Sequence, residues 1–230
     1  MSTQPRLVEV RQNILKQNDL RARSLRQRFE EAGVYVVSMV SSPGAGKTTL
    51  LEQTLTRLRG AGCRVAALVG DLATENDAAR LARSQVPVKQ IVTGTVCHLD
   101  ADMVERSLTD WQLDDLDCLF IENVGNLVCP SSYDLGENLR IVLMSVTEGE
   151  DKPLKYPTIF NTADVALITK MDLAEAVEFD RAAAERSIQS VRPGMQVLEV
   201  SAKTGAGLDD FLKFVESRVG KVGVSAGFAG

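Results

Sequence analysis

Val34-Tyr35-Val36-Val37-Ser38-Met39-Val40 runs directly into Ser41-Ser42-Pro43-Gly44-Ala45-Gly46-Lys47-Thr48, and helical spacing then continues from Thr48 to Leu58 before the stop at Gly60-Ala61-Gly62. The first run is dense in β-branched residues, as a parallel strand covered on both faces requires. A strand, a glycine turn and a helix in that order form the context in which a Gly-Lys-Thr match carries meaning. Gly44 and Gly46 let the backbone curl so that successive N–H groups face phosphate oxygens, and the helix opening near Lys47 adds the positive end of its dipole. Gly44, Ala45, Gly46, Lys47, Thr48 and Thr49 are therefore the expected phosphate-binding residues. Lys47 would reach the β- and γ-phosphates, and the Thr48 hydroxyl would face Mg²⁺. Ser41 stands where the formal pattern has glycine, a departure of one residue.

Outward from this loop the alternation repeats. Strands are expected at 64–69, 88–92, 118–121, 140–146, 165–169 and 196–200, with helices at 75–83, 99–111, 174–191 and 208–219. The pattern predicts an α/β fold, a mostly parallel sheet with helices on both faces and a ligand site at the carboxyl ends of its strands. Asp71 and Glu122 each follow such a strand end. Both are expected to hold Mg²⁺ together with Thr48, and with Lys47 they form the expected catalytic set. Glu122-Asn123-Val124-Gly125 reads as D-x-x-G with Glu for Asp, and the Gly125 amide is placed to sense a γ-phosphate. Asp77 would orient the attacking water, or is simply an acid in the first turn of a helix.

Thr169-Lys170-Met171-Asp172 is similar to the N-K-x-D element of GTPases, in which the acid pairs with guanine N1–H and the 2-amine. Thr169 replaces the usual Asn, whose amide braces the phosphate loop in such proteins. Ser201-Ala202-Lys203 is similar to the S-A-K element that meets guanine O6. Lys170, Asp172, Ser201, Ala202 and Lys203 are the expected base-binding residues.

The chain has 230 residues, 44% of them hydrophobic and 25% charged, with a mean hydropathy of -0.03. These proportions belong to a globular protein with one large domain and a sizeable core, and no apolar run approaches the ~18 residues of a spanning helix. A net charge of -5 argues against nonspecific nucleic-acid binding. No charged and apolar leader is read at the start, so a cytoplasmic location without membrane association is expected. Charge is uneven, however. Residues 1–28 contain seven basic groups and two acids, so that they carry +5 and the rest -10. Val8, Leu15, Ala22 and Phe29 recur every seven residues, with Leu25 between them. This predicts a basic amphipathic helix over 1–32, a main domain over 33–220 and a flexible tail over 221–230. The apolar stripe would pack on the main domain, in preference to a membrane surface or nucleic acid.

Four cysteines are too few for a disulfide framework. Cys63 and Cys118 lie beside strands and read as core. Cys97 adjoins His98, the only histidine, and Cys129-Pro130 comes four residues after Gly125. Thiolates and an imidazole suit Zn²⁺ or Ni²⁺, yet three donors fall short of the usual four, and a second copy across a two-fold axis would complete the set. Buried structural thiols and a structural histidine are the alternative.

The phosphate loop, Cys97-His98-Leu99-Asp100-Ala101, Phe120 to Pro130 and Thr147-Glu148-Gly149-Glu150-Asp151-Lys152-Pro153-Leu154-Lys155-Tyr156-Pro157 together resemble the nickel-incorporation GTPases of NiFe-hydrogenase maturation, the HypB family, over residues 8–219. The resemblance implies a P-loop NTPase of the SIMIBI type that hydrolyses GTP to GDP slowly with Mg²⁺. It also implies a homodimer, formed with GTP or metal, that carries Ni²⁺ or Zn²⁺ through Cys97, His98 and Cys129. The implied partners are the small zinc-containing nickel chaperone HypA and the hydrogenase large-subunit precursor. The Cys-x-x-Cys-Gly-Cys motif and histidine-rich stretch of some family members do not occur in residues 1–30. A urease- or cobalamin-enzyme-type GTPase chaperone and a P-loop small-molecule kinase share the phosphate loop, but not Cys97-His98 with Val128-Cys129-Pro130.

Overall fold

The computed structural model describes residues 4–71 and 80–225. In chain order its principal elements are α1 (Gln4–Glu31), β1 (Tyr35–Ser41), α2 (Lys47–Gly60), β2 (Val65–Asp71), β3 (Val88–Val92), α3 (Ala101–Ser107), β4 (Cys118–Glu122), β5 (Leu139–Ser145), α4 (Lys152–Lys155), α5 (Pro157–Thr162), β6 (Val165–Thr169), α6 (Arg181–Val191), β7 (Gln196–Glu199) and α7 (Leu208–Ser225). The seven strands form one sheet in the order β3-β2-β4-β1-β5-β6-β7. Every pairing is parallel.

β1 is buried along its whole length because helices cover both faces of the sheet. Tyr35, Val37 and Met39 pack with Leu50, Leu55, Phe211 and Val215 of α2 and α7. Val36 packs with Leu25 and Phe29 of α1 and Val104 of α3, and Val40 with Phe160 and Ile188 of α5 and α6. The period of two along the strand thus sends alternate side chains into separate clusters.

The N-terminal stripe lies on the main domain. Ala22, Leu25 and Phe29 are fully buried, whereas the side chain of Val8 lies outside the described residues. The helix closes with Val34 N–H donating to the Phe29 carbonyl at 2.9 Å and with Gly33 at φ +70, a left-handed stop that glycine adopts without strain. Arg21 and Arg26 pair within the chain. Arg26 donates to both oxygens of Asp134 at 2.8 and 2.9 Å, and Arg21 pairs with Asp102 and Glu105. Burial works against the Asp134 charge, yet Arg26 and the Gly136 amide hold its carboxyl below the ordinary value. That contribution is full above the unfolded carboxyl's pKa and is lost as pH falls through the lower folded one.

Several boundaries differ from the expectation. The helix expected at 174–191 begins only at Arg181. Glu178 turns left-handed at φ 52, and the Asp180 side chain caps the Ala183 amide at 2.9 Å. The helix expected at 99–111 narrows to α3, capped by Asp100 at the Met103 amide. α4 and α5 were not among the expected helices. Proline sits in the first turn of each, where its missing N–H costs nothing. The boundary expected at 220/221 falls inside α7, and 226–230 lie outside the described residues. So do 72–79, which hold most of the helix expected at 75–83; a 3-10 turn occupies Ala82–Ser84.

If α1 belongs to the core, Phe29→Ala will destabilise the whole chain by ~3–5 kcal/mol. Urea unfolding followed by circular dichroism will then give one transition at a lower midpoint, rather than early loss of a separate arm.

Candidate nucleotide and metal site

Glu122, the last residue of β4, is in register with both Met39 and Val69, so β1 and β2 run two residues past it to Ser41 and Asp71 and all three ends open on the same edge of the sheet. Beyond β1 the loop turns at Gly44 (φ 75) and Gly46 (φ 92), conformations that side-chain-bearing residues rarely adopt. Gly46 is the N-cap of α2. Lys47 Nζ donates to Ser41 Oγ at 2.9 Å, so the serine that departs from the formal pattern holds the lysine at the loop's base. Thr48 Oγ1 donates to Glu122 Oε1 at 2.7 Å. A cavity of about 510 Å³ opens here, with Lys47, Thr48, Asp71, Glu122 and Gly125 on its wall. A Cβ at Gly125 would lie 3.0 Å from Pro43 Cα, so the sensor loop lies directly against the phosphate loop. Three oxygen-bearing side chains on one wall and an ammonium at the base form a donor set suited to Mg²⁺ and a polyphosphate. Arg80 also lines this cavity and pairs with Glu52 at 3.4 Å. Sequence reading missed it, because no motif marks it. Asp77 lies outside the described residues.

Next to it is a second cavity of about 260 Å³, with Gly46, Thr49, Lys170, Asp172, Ala202 and Lys203 among its lining. Lys170 is left-handed at φ 58 and lines both cavities. Ser201 is fully buried beneath this wall, and its hydroxyl donates to Asp172 Oδ1 at 2.6 Å, orienting the carboxylate. Thr169 brings a correction. The bracing of the phosphate loop that Asn provides in other GTPases is kept, because Thr169 Oγ1 donates to the Ala45 carbonyl at 2.7 Å. Thr169 is itself buried, so Thr169→Val, which keeps its shape, will leave that carbonyl unpaired. A weakening of nucleotide binding by roughly tenfold is expected, ~1–2 kcal/mol, readable by fluorescent-nucleotide titration.

On the other side of β4 the loop from Glu122 reaches Cys129. The Sγ atoms of Cys97 and Cys129 lie 2.9 Å apart, and the donor atoms of Cys97, His98 and Cys129 all fall within 4.8 Å of one another. His98 Nδ1 is buried and has no hydrogen-bond partner among the described residues. Burial pushes the imidazole's pKa down, with Asp100 opposing, which favours the neutral, ligating form. Two sulfurs and an unpartnered ring nitrogen fit a soft divalent cation. Sequence reasoning missed the side chains that support the set. The Tyr133 ring stacks on His98 with centroids 3.9 Å apart, Asn126 donates to the Cys97 carbonyl at 3.2 Å, and Asn18 of α1 accepts from the Ala101 amide at 2.9 Å. Asn126 stood in the quoted runs without a role. Cys118 is a core thiol, fully buried and with its pKa pushed well up, whereas Cys63, also expected in the core, is only partly buried against it, where burial raises its thiol to about 11.

With this geometry in place, comparison with known proteins decides the family. The profile described as CobW/HypB/UreG, nucleotide-binding domain, matches residues 35–199. The chain is 47% identical over 220 residues to the hydrogenase maturation factor HypB of Azotobacter chroococcum mcd 1, covering 95% of this chain and 71% of that protein. It belongs to the HypB hydrogenase maturation factors. Among solved structures, HypB from Helicobacter pylori in complex with nickel is similar at 42% identity and a TM-score of 0.84, covering 89% of this chain and 96% of that one. HypB from Archaeoglobus fulgidus is similar at 38% identity and a TM-score of 0.82, covering 89% and 99%. The fold is accordingly that of a P-loop NTPase of the SIMIBI class, and the domain is a nucleotide-binding one. Among the described residues no helix is long and apolar enough to cross a membrane.

Proposed function

We propose that this chain is a GTP-hydrolysing metallochaperone that delivers nickel during NiFe-hydrogenase maturation, with nucleotide state setting its grip on the metal. The observation that carries the reading is the short loop from Glu122 to Cys129. One end carries a carboxylate hydrogen-bonded to Thr48, and the other a thiolate donor within reach of Cys97 and His98. Thr48, Asp71 and Glu122 would hold Mg²⁺, which when bound would offset the charge of the phosphates during transfer. Lys47 leaves Ser41 for the phosphate oxygens, and the Gly125 amide meets the γ-phosphate. Hydrolysis removes that contact and releases the loop, and with it the cation held at Cys129. Linkage makes the effect reciprocal, so nickel binding alters nucleotide affinity by the same factor.

Asp172 selects guanine. A carboxylate fixed by Ser201 accepts from N1–H and the 2-amine, whereas adenine offers no such donor pair. Turnover is slow, as expected of a regulatory GTPase without an obvious cis arginine finger and the large transition-state term it supplies. Asp77 would orient the attacking water. Three donors leave a coordination position open, so a second copy across a two-fold axis completes the set in the metal- or GTP-loaded homodimer. Zn²⁺ competes for the same donors. The small zinc-containing nickel carrier HypA would supply the metal and the hydrogenase large-subunit precursor would receive it, in the cytosol.

Titration with nickel and with zinc, in GDP and in a non-hydrolysable GTP analogue, tests the reading while oligomer mass is followed. The wild type will show different nickel affinities in the two states, and Cys129→Ala will lose most of its affinity in both. Equal affinities in the wild type sink the coupling, and Cys129→Ala binding like the wild type sinks the site. Asp172→Asn replaces an acceptor by a donor that matches xanthine O2. It will lower GTP affinity by roughly 10²-fold, ~3 kcal/mol, and turn the preference toward xanthosine triphosphate in competition binding.

A further inference from the structure

Cys129 sits on the loop that leaves the phosphate sensor, but Cys97 and His98 belong to a different connection, the one between β3 and α3. A loop that moved only Cys129 would act on one third of the donor set. What ties the other two donors to the phosphate end is Asn123. It follows Glu122, lines the phosphate cavity and is 2% exposed. Its backbone N–H donates to the Met39 carbonyl at 3.0 Å, which anchors the residue to the end of β1. Its side-chain Oδ1 accepts from two amides, Leu99 N–H at 3.0 Å and Val124 N–H at 2.9 Å. One oxygen, with both its lone pairs used, thus joins the residue after His98 to the residue before Gly125.

Leu99 leaves that junction no slack. It is fully buried and wedged on the end of β2, where a Cβ added at Gly70 would lie 2.8 Å from Leu99 Cγ. Gly70 in turn precedes Asp71. The Cys97–Leu99 segment is therefore fixed at the ends of both strands whose last residues are Asp71 and Glu122. When a γ-phosphate draws the Val124–Gly125 backbone, the shared acceptor cannot keep both amides at the same angle. Leu99, hemmed in by Gly70, then shifts together with the donors beside it.

We propose that Asn123 is a positioning residue that transmits nucleotide state to Cys97 and His98, so that all three metal donors respond together. This rests on the coupling of nucleotide and metal proposed above. The test is the ratio of nickel affinities in the GTP-analogue and GDP states, measured for the wild type, Asn123→Ala, Asn123→Asp and Gly70→Ala, with hydrogen exchange of the Leu99 amide as a metal-free readout.

In Asn123→Ala the ratio falls to about one, and the Leu99 amide loses its difference in protection between the two nucleotides. Asn123→Asp keeps the acceptor oxygen, so its ratio stays near that of the wild type, although the added charge beside the phosphates weakens nucleotide binding in both states. A residue that merely stabilises the fold would change the two affinities alike and leave the ratio untouched. Gly70→Ala displaces Leu99 without altering Asn123 and also lowers the ratio, which keeps the idea testable if Asn123→Ala does not fold. A wild-type ratio retained in Asn123→Ala or, where that variant does not fold, in Gly70→Ala overturns the role of Asn123 and leaves the coupling standing. A ratio of one in the wild type overturns both.

Discussion

The register of β4 between β1 and β2 is the constraint on which the rest depends. Met39 and Val69 face Glu122 from either side, so the ends of the three strands fall within two residues of one another and their side chains share one edge. A slip of one residue in a parallel pair would turn Glu122 to the opposite face of the sheet and away from the Thr48 hydroxyl. The same slip would break the bond from the Asn123 backbone to Met39. The register is secured by burial rather than by any polar contact. Val36, Val37, Leu119 and Phe120 are all fully buried, and each would be misplaced by the shift. The core thus carries the precision that the chemistry uses.

The N-terminal helix extends this logic to the metal end. Its excess of positive charge reads, in isolation, as a device for binding an anionic polymer. In the fold, Arg21 and Arg26 meet Asp102 and Asp134, while Asn18 bridges the Asp134 carbonyl and the Ala101 amide. Exposed ion pairs of this kind contribute little each. Their position matters more, since they flank Asp100 and Tyr133, the neighbours of His98. The helix therefore supports the loop that carries Cys97 and His98 from outside, as the Asn123 side chain does from inside.

The α/β class, the seven strands to within about two residues at each end, and the convergence of Lys47, Thr48, Asp71 and Glu122 were all legible in the sequence. Hydrophobic period and glycine position are local signals, and parallel topology does the converging. Three kinds of feature were not legible. Short helices opened by Pro153 and Pro157 are set by packing rather than by propensity. The late start of α6 depends on a single left-handed residue, Glu178, which carries no special signature. The supporting contacts of Asn123, Asn126, Tyr133 and Arg80 join residues far apart in the chain, and one sequence contains no record of such pairs. Thr169 and Ser41 make the same point from the other side. Judged as letters both depart from their motifs, yet as hydroxyl donors and acceptors both hold the loop.

His98 bears on the choice between a structural and a ligating reading of the soft-donor cluster. A structural histidine in a half-buried position satisfies both ring nitrogens, because leaving one buried and unpaired costs ~1–3 kcal/mol. Here Nδ1 is buried without a partner among the described residues, although Tyr133 stacks on the ring and fixes its plane. Stacking orients a ring but satisfies no lone pair. The Cys97 and Cys129 sulfurs lie within 4.8 Å of a nitrogen of this ring, and burial favours its neutral form. A cation that accepts all three donors would offset the desolvation of each at once. The cost carried at His98 is therefore the strongest physical argument that the cluster is built to be filled.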